Sequence, residues 1–167
     1  LMPPVSVEDL HNSRSGRNFW IYIKGMGAWS ATGNSAWQIA QNFSEQEGDS
    51  ATLQAGLLWH KVTRTNEQYG LRAELTSFVP SSDDQIELMS VRITNISDHP
   101  IIYTPTAAIP IFGRSADNLR DHRHVTSLLQ RIYCTDYGIE VCPTLSFDER
   151  GHRPNQKSYA VLGVQAD

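Results

Sequence analysis

Apolar and polar positions alternate through the middle of the chain, between Tyr69 and Thr106. In two segments of this stretch, 71–75 and 89–93, every second side chain is apolar. A period of two is typical of antiparallel strands with one buried face. Clusters of Pro, Asp, Asn and Ser lie on both sides of the second segment and favour turns. We therefore predict a meander of long strands that forms the middle of a β-sandwich.

Further strand-like segments precede the meander. They are predicted, in chain order, at 18–24, 28–30, 35–39 and 51–65. A turn at Gly33-Asn34 is predicted to join the second segment to the third. Gly56 is interpreted as a bulge where the long fourth strand bends. The acidic cluster at 45–49 is interpreted as a solvated loop.

Strand signals continue after the meander. The segment Pro100–Phe112 is apolar but carries three prolines, which cannot donate to a ladder, so an edge strand or a broken strand is predicted. Later strands are predicted at 125–133, 139–147 and 158–164, with a polar loop at 148–155 between the last two. No amphipathic helix of three turns is predicted. The fold class is therefore predicted to be all-β, an antiparallel sandwich or barrel.

The chain length sets the domain organisation. Residues 1–17 have neither period and are interpreted as a linker or lead-in, and residues 18–167 as one β-sandwich domain, because 167 residues bury one sizeable core. The sequence opens on Leu1 and ends in a strand-like run. We therefore expect a fragment of a longer chain, whose truncation can leave the sandwich incomplete.

The amino-acid composition argues against nucleic acid and membranes as binding partners. The net charge is −4 and the pI about 5.8, which gives no basic field for nucleic acid. The sequence has no apolar run near the roughly 20 residues of a membrane span and no secretory leader. We predict a cytoplasmic protein with neither a nucleic acid nor a membrane as partner.

Two cysteines, Cys134 and Cys142, flank a predicted turn. They could form a disulfide across a hairpin or remain two reduced, half-buried thiols. The second interpretation is favoured, because nothing else in the sequence indicates an oxidising compartment.

Three tryptophans, Trp20, Trp29 and Trp37, lie in the first strand-like segments. One interpretation packs them in the sandwich core or against another domain. The other makes them a platform on which the apolar faces of a sugar stack. Both stay open at this point.

The segment 113–131 breaks the β rhythm with dense Arg, Asp and His side chains, which is typical of a functional loop. Its candidate substrate-binding residues are Arg114, Arg120, Asp121, His122, Arg123 and His124. The two histidines have a spacing compatible with a metal, but only Asp117 or Asp121 could add a third ligand, so no metal site is predicted. The sequence also lacks a Gly-x-Ser-x-Gly turn and a glycine-rich phosphate loop, and no catalytic residue is predicted in the chain.

Several of these stretches match a known pattern. They are Trp29–Ala31, Trp37–Gln38, Gly56–Thr65, Tyr69–Pro80 and Ile86–Asp98. Together they resemble the N-terminal super-sandwich domain, of the galactose-mutarotase-like type, in family 94 glycoside phosphorylases (formerly glycosyltransferase family 36). Two later segments, 116–129 and 144–151, most resemble the branch that acts on β-1,2-glucans, including β-1,2-oligoglucan phosphorylase and the related module of cyclic β-1,2-glucan synthase.

The resemblance implies that the sandwich and a second domain have different roles in catalysis. In such enzymes a general-acid Asp and the phosphate-binding residues lie in an (α/α)6 barrel that follows the sandwich. Inverting phosphorolysis of a β-glucan oligosaccharide then gives α-glucose 1-phosphate, with inorganic phosphate as co-substrate and no cofactor. The sandwich supports a homodimer and lends loop residues to the sugar site.

Carried onto this chain, the resemblance makes the six residues of the 113–131 loop candidates for sugar binding, since Arg and Asp suit bidentate hydrogen bonds to hydroxyls. A structural role of this loop in barrel docking or dimer contact is equally open. A free-standing carbohydrate-binding module and a purely architectural domain are the other two classes.

Overall fold

The computed structural model describes residues 17–44, 48–109, 111, 130–148 and 151–165. The chain divides into two compact units. The first is Asn18–Ala108, and the second includes the described strands after Ile109. Antiparallel strands make up both units, and the predicted all-β fold class is confirmed.

The first unit contains seven strands and one short helix. Their bounds are β1 Asn18–Ile23, β2 Gly27–Ser30, α1 Ala36–Gln41, β3 Ser50–Gly56, β4 Trp59–Asn66, β5 Leu71–Phe78, β6 Leu88–Asn95 and β7 Tyr103–Ala108.

One sheet of this unit contains the first two strands of the predicted meander, β5 and β6, whereas the end of the predicted stretch forms β7 in the other sheet. Its strand order is β3-β4-β5-β6, with every neighbouring pair antiparallel. Alternate residues of β5 are buried, beginning at Leu71, while the residues between them point to the other face. The alternation on which the prediction rested is therefore confirmed, because it follows from which face of the sheet meets the core.

The other sheet has the order β2-β1-β7. Its buried side chains pack with those of β5 in one apolar cluster, so the two sheets form the layers of a sandwich. The buried members of the cluster are Ile21, Ile23, Trp29, Ala31, Leu71, Ala73 and Leu75.

Strand β7 lies at the edge of its sheet and carries Pro105 opposite Ile21. The prediction of an edge strand in this proline-containing segment is confirmed. A proline has no N–H for a ladder, and an edge strand pairs on one side only.

The predicted strand at 35–39 is wrong, because this segment forms α1. Ser35 accepts a hydrogen bond from the Gln38 backbone N–H, and the Gln38 side chain accepts one from the Ser35 N–H. This capping box satisfies backbone donors at the helix start and outweighs the β propensity of Trp37 and Ile39.

The predicted single strand at 51–65 is also wrong. The segment is a hairpin in which Leu57 and Leu58 form a two-residue turn between β3 and β4. Gly56 pairs with Trp59 across this turn and is not a bulge. Hairpin turns are recognised in a sequence by Asn, Asp or Gly, and this turn consists of two leucines. The apolar pattern therefore predicts one continuous strand.

The second unit contains β8 Gln130–Thr135, β9 Gly138–Pro143, β10 Leu145–Asp148, β11 Gly151–Pro154 and β12 Tyr159–Leu162. Strands β12, β9 and β8 form a sheet in that order, and β10 pairs with β11 in a separate hairpin. The predicted strand at 158–164 is found, but the one predicted at 139–147 is two strands, β9 and β10, in different sheets, and β11 occupies part of the predicted loop. The segment 125–129 lies outside the described residues.

The two cysteines are free thiols on neighbouring strands of this sheet. Cys134 pairs with Ile139, whereas Cys142 pairs with Arg131, three positions along β9 from Ile139. Three positions span roughly 10 Å and an odd offset puts the side chains on opposite faces, so no disulfide geometry is available. Cys142 is half-buried as expected, but Cys134 is exposed.

Helical structure in the described part of the chain offers no candidate for a membrane-spanning segment, since no helix there is both long and apolar enough.

Candidate functional site

The six candidate residues of the 113–131 loop lie outside the described residues. They are Arg114, Arg120, Asp121, His122, Arg123 and His124. Their proposed part in sugar binding therefore stays a prediction.

A buried carboxylate is the centre of the polar structure in the first unit. The side chain of Asp49 is 2% exposed and lies just before β3. Its Oδ2 accepts hydrogen bonds from Trp29 Nε1 at 2.8 Å and from Gln38 Nε2 at 2.5 Å, and it pairs with Arg64 Nη1 at 3.3 Å. Its Oδ1 accepts a bond from Asn66 Nδ2 at 2.6 Å. We call these five residues the Asp49 network.

The donors reach Asp49 from three different elements. Trp29 comes from β2, Gln38 from α1, and Arg64 and Asn66 from β4. Arg64 and Asn66 are two positions apart on one strand, so both side chains project to the same face. The network therefore ties the edge of one sheet, the helix and the other sheet to a single carboxylate.

Gln38 also fixes α1 to β2. Its Oε1 accepts a hydrogen bond from the Ser30 N–H at 3.2 Å, and its Nε2 donates to the Ser30 carbonyl at 2.9 Å. A neighbouring strand would form the same two hydrogen bonds, one with the Ser30 N–H and one with the Ser30 carbonyl. The Gln38 amide consequently satisfies the outer edge of β2 at the point where the strand ends.

A second set of polar bonds supports the same region. Asn18 Oδ1 accepts hydrogen bonds from Ser30 Oγ at 2.9 Å and from Thr32 Oγ1 at 2.8 Å. Asn18 and Ser30 are both buried. The turn after β2 is thereby fixed to the start of β1, which keeps Gln38 and Trp29 in position.

Tyr69 covers the apolar side of Trp29. Their ring centroids are 6.2 Å apart with an interplanar angle of 23°, and the Tyr69 hydroxyl donates to the Met26 carbonyl at 2.9 Å. Partial burial, and secondly the nearby Asp49 charge, raise the pKa of Tyr69 above its ordinary value. The raised pKa further favours the neutral phenol, the form that donates to the Met26 carbonyl.

A small polar cavity of about 120 Å³ adjoins the network. It is lined by Gln38, Gln41, Asn42, Gly48, Asp49 and Arg64. This polar cavity is large enough for several water molecules.

Arg64 is one of the residues that line this cavity. Its Nε is buried and makes no hydrogen bond within the described structure. Its guanidinium lies against Gly33, where an added Cβ would stand 2.6 Å from Arg64 Cζ. Gly33 has φ +83°, a conformation that favours glycine, and an added side chain here would have to displace the Arg64 guanidinium.

The chemistry open to Asp49 follows from its bonds. A carboxylate has about four lone-pair positions, and four donors already occupy those of Asp49. Three of these donors are on Oδ2 and one is on Oδ1, so the carboxylate is held mainly by protein groups and its role here is structural. The interpretation of Asp49 as part of a solvated loop is wrong, because donors up to 20 residues away enclose it.

The structure separates the three tryptophans. Trp29 is 1% exposed and belongs to the core, so it cannot serve as a sugar platform. Trp37 is 47% exposed on α1, and Trp20 is half-buried. The core interpretation is correct for Trp29, and an exposed indole is present only for Trp37 among these three.

No group of three or more His, Cys, Asp or Glu side chains able to hold a metal ion occurs within 17–44, 48–109, 130–148 and 151–165. The histidine pair at 122 and 124 lies outside these ranges.

Comparison of the sequence with protein-family models and with curated proteins finds no match.

Proposed function

We propose that this chain is the non-catalytic β-sandwich domain of a glycoside phosphorylase that converts β-linked glucooligosaccharides, of the β-1,2 type, and phosphate to α-glucose 1-phosphate. The observation that carries the proposal is the location of the stretches that resemble this family. Gly56–Thr65, Tyr69–Pro80 and Ile86–Asp98 cover β4, β5 and β6, three neighbouring strands of one sheet.

The Asp49 network supports the same proposal. It connects the two remaining stretches, which contain Trp29 and Gln38, to β4 through Arg64 and Asn66. All five stretches are thus joined in one structural unit whose buried polar groups are engaged with one another. Such a unit is suited to carry loops and support an assembly, while the acid and the phosphate site are contributed by the (α/α)6 barrel that the resemblance implies.

The proposed reaction leaves this domain with a supporting role at the sugar. Phosphate attacks the anomeric carbon while the acid of the barrel protonates the leaving oxygen. The candidates Arg120 and His122 donate or accept hydrogen bonds at the sugar hydroxyls, and the sandwich supports a homodimer.

The experiment that tests this proposal measures glucose 1-phosphate release by the full-length parent protein with phosphate. The substrates are β-1,2-glucooligosaccharides, cellobiose and laminaribiose. Release from the β-1,2 substrate alone is expected. Release from cellobiose or laminaribiose alone would correct the linkage, and no release from any substrate would refute the phosphorylase assignment.

The loop residues are tested in the same protein. Arg120→Ala and His122→Ala are each expected to lower kcat/KM for the glucan about 10- to 100-fold, the range for losing a charge-assisted hydrogen bond. Arg72→Ala is the matched control, because Arg72 is exposed on the outer face of β5. If kcat/KM fell as much in the control as in the loop variants, the loop residues would have no specific part in sugar binding.

A carbohydrate-binding module is the second candidate, and the exposed indole of Trp37 favours it. Quenching of indole fluorescence by glucan in the chain alone, abolished in Trp37→Phe, would support binding without a barrel. Unchanged emission on adding glucan would favour an architectural domain.

A further inference from the structure

Strand β3 is an open edge of the four-stranded sheet. It pairs with β4 on one side, and none of the other described strands pairs with its second side. All the residues of the strand, Ser50–Gly56, are exposed. Alternate N–H and C=O groups of an edge strand point away from its neighbour, so β3 presents a row of hydrogen-bonding groups that fits a further strand.

The other three edges of the first unit each carry a feature that opposes the addition of a strand. At the edge of β2, the Gln38 amide bonds both the N–H and the carbonyl of Ser30. Strand β7 contains Pro105, and β6 contains the charged side chain of Arg92. Prolines and charged side chains are common protections of edge strands.

Strand β3 has none of these protections. Its sequence, Ser-Ala-Thr-Leu-Gln-Ala-Gly, contains neither a charged residue nor a proline. Its register with β4 is unbroken from Ser50 to Gly56, so no bulge twists the edge away. The strand is therefore a preformed and unprotected edge.

One face of β3 is apolar and continues the core face of the sheet. Leu53 is 70% exposed and stands opposite Val62, which stands opposite the buried Leu75 of β5. Ala51 and Ala55 lie on the same face as Leu53, because side chains alternate along a strand. The apolar face of this sheet thus continues past the residues that pack against the other sheet.

The opposite face of β3 is polar, with Ser50, Thr52 and Gln54. A strand that extends the sheet is therefore expected to alternate, with apolar side chains beside Leu53 and polar side chains beside Thr52.

The open groups of β3 identify the occupant by its chemistry. An extended polypeptide backbone presents N–H and C=O groups at the spacing of an edge strand, which a sugar does not. The first unit forms both of its layers, and β3 keeps its pairing with β4, without an outer neighbour. The edge is therefore suited to a strand that another protein supplies.

We propose that β3 binds an extended segment of a partner protein by strand addition. The segment is about five to seven residues long with apolar and polar residues in alternation, and it adds a further strand to the sheet. Its backbone bonds to the open side of β3, and its apolar side chains lie beside Leu53. The inference is independent of the proposed function, because it involves neither glucan nor a barrel.

The test uses the 167-residue chain and a labelled peptide of alternating threonine and valine, flanked by lysines for solubility. Main-chain hydrogen bonds give affinity in strand addition, so a generic alternating sequence is a suitable probe. Fluorescence anisotropy is expected to give a Kd below about 1 mM. Hydrogen exchange is expected to slow at the β3 amides that face away from β4. The same peptide with N-methylated amides is expected not to bind, because it lacks the donors.

Leu53→Lys is expected to weaken binding about tenfold or more, because it places a charge beside the added strand. The variant is expected to fold, since this side chain is largely exposed. Ser90→Lys is the matched control and is expected to bind normally, because Ser90 is exposed on β6, at the other edge of the same sheet.

Four results would overturn the proposal. They are no binding at about 1 mM peptide, undiminished binding of the N-methylated peptide, slowed exchange in strands other than β3, and equal weakening by the two lysine variants. Two further outcomes would replace the partner protein by another occupant and so refute the proposal. A dimer of the chain alone with protected β3 amides would place a second copy at the edge. Protection of these amides already in the full-length parent protein would place a segment of that protein there.

Discussion

Asp49 is the residue on which the polar part of the first unit depends. Its removal would leave the largely buried guanidinium of Arg64 without a counter-charge and three further donors without an acceptor. A buried ion pair contributes little against an apolar substitute, but the loss of one partner alone is costly. The loss of stability on substituting Asp49 therefore depends on the buried donors that are left without an acceptor.

We expect Asp49→Ala to lower the free energy of unfolding by about 3 kcal/mol, measured by urea denaturation. Asp98→Ala is the control, because that carboxylate is fully exposed and bonded only to the exposed His99 and to backbone. It is expected to change stability by less than about 0.5 kcal/mol. Similar losses in the two variants would mean that the Asp49 network contributes nothing beyond a surface contact.

The turn of the β3–β4 hairpin has a backbone conformation that its leucine disfavours. At Leu58 the backbone has φ +64°, where glycine has no steric cost and alanine does. We expect the Leu58→Gly chain to be more stable than Leu58→Ala by about 1 kcal/mol in thermal or urea unfolding.

The matched comparison for Leu58 is at Leu53, in the middle of β3. There the backbone is extended and glycine loses more conformational entropy than alanine, so the order of the two variants is expected to reverse. The same order at both positions would argue against strain in the turn.

The outer face of β4 and β5 is expected to respond to pH through Glu74. The hydrogen bond and charge of Lys61, with further charges at Arg92 and Arg72, lower the pKa of Glu74 below its ordinary value of 4.5. A lowered pKa contributes stability at neutral pH that is lost as the pH falls through the folded-state value. We expect Glu74→Gln to cost at most about 1 kcal/mol at pH 7 and nothing once Glu74 is protonated.

Unfolding of Glu74→Gln and of the unchanged chain at a series of pH values from 7 downward measures this difference. Glu67→Gln is the control, because Glu67 is exposed in the turn between β4 and β5. A difference between Glu74→Gln and the unchanged chain that stayed constant with pH would assign the effect to packing and not to charge.

Strands in which apolar and polar residues alternate could be predicted from the sequence. Elements fixed by local hydrogen bonds could not. Strands β5 and β6 have a period of two because one face of each meets the core. Helix α1 depends on a capping box and on the Gln38 amide, while the Leu57-Leu58 turn lacks turn-forming residues. Neither leaves a periodic signal, so both segments were predicted as strand.

At the scale of the whole molecule, the sequence predicts the class of fold better than its polar centre. An all-β arrangement follows from strand signals that recur along the chain, and each signal is local. The Asp49 network joins residues from separate segments, so no single window of sequence contains it. The loop at 113–131 stands out by composition, and its place at a sugar site remains a prediction.

The Asp49 network also has a consequence for the order in which the first unit folds. Its bonds close loops of only 11 to 20 residues, whereas the pairing of β1 with β7 joins residue 23 to residue 103. Short loops lose less chain entropy on closure, so they can form before distant strands meet. We therefore expect the helix, the β3–β4 hairpin and the end of β2 to form early around one carboxylate, and the β7 edge to complete the sandwich late.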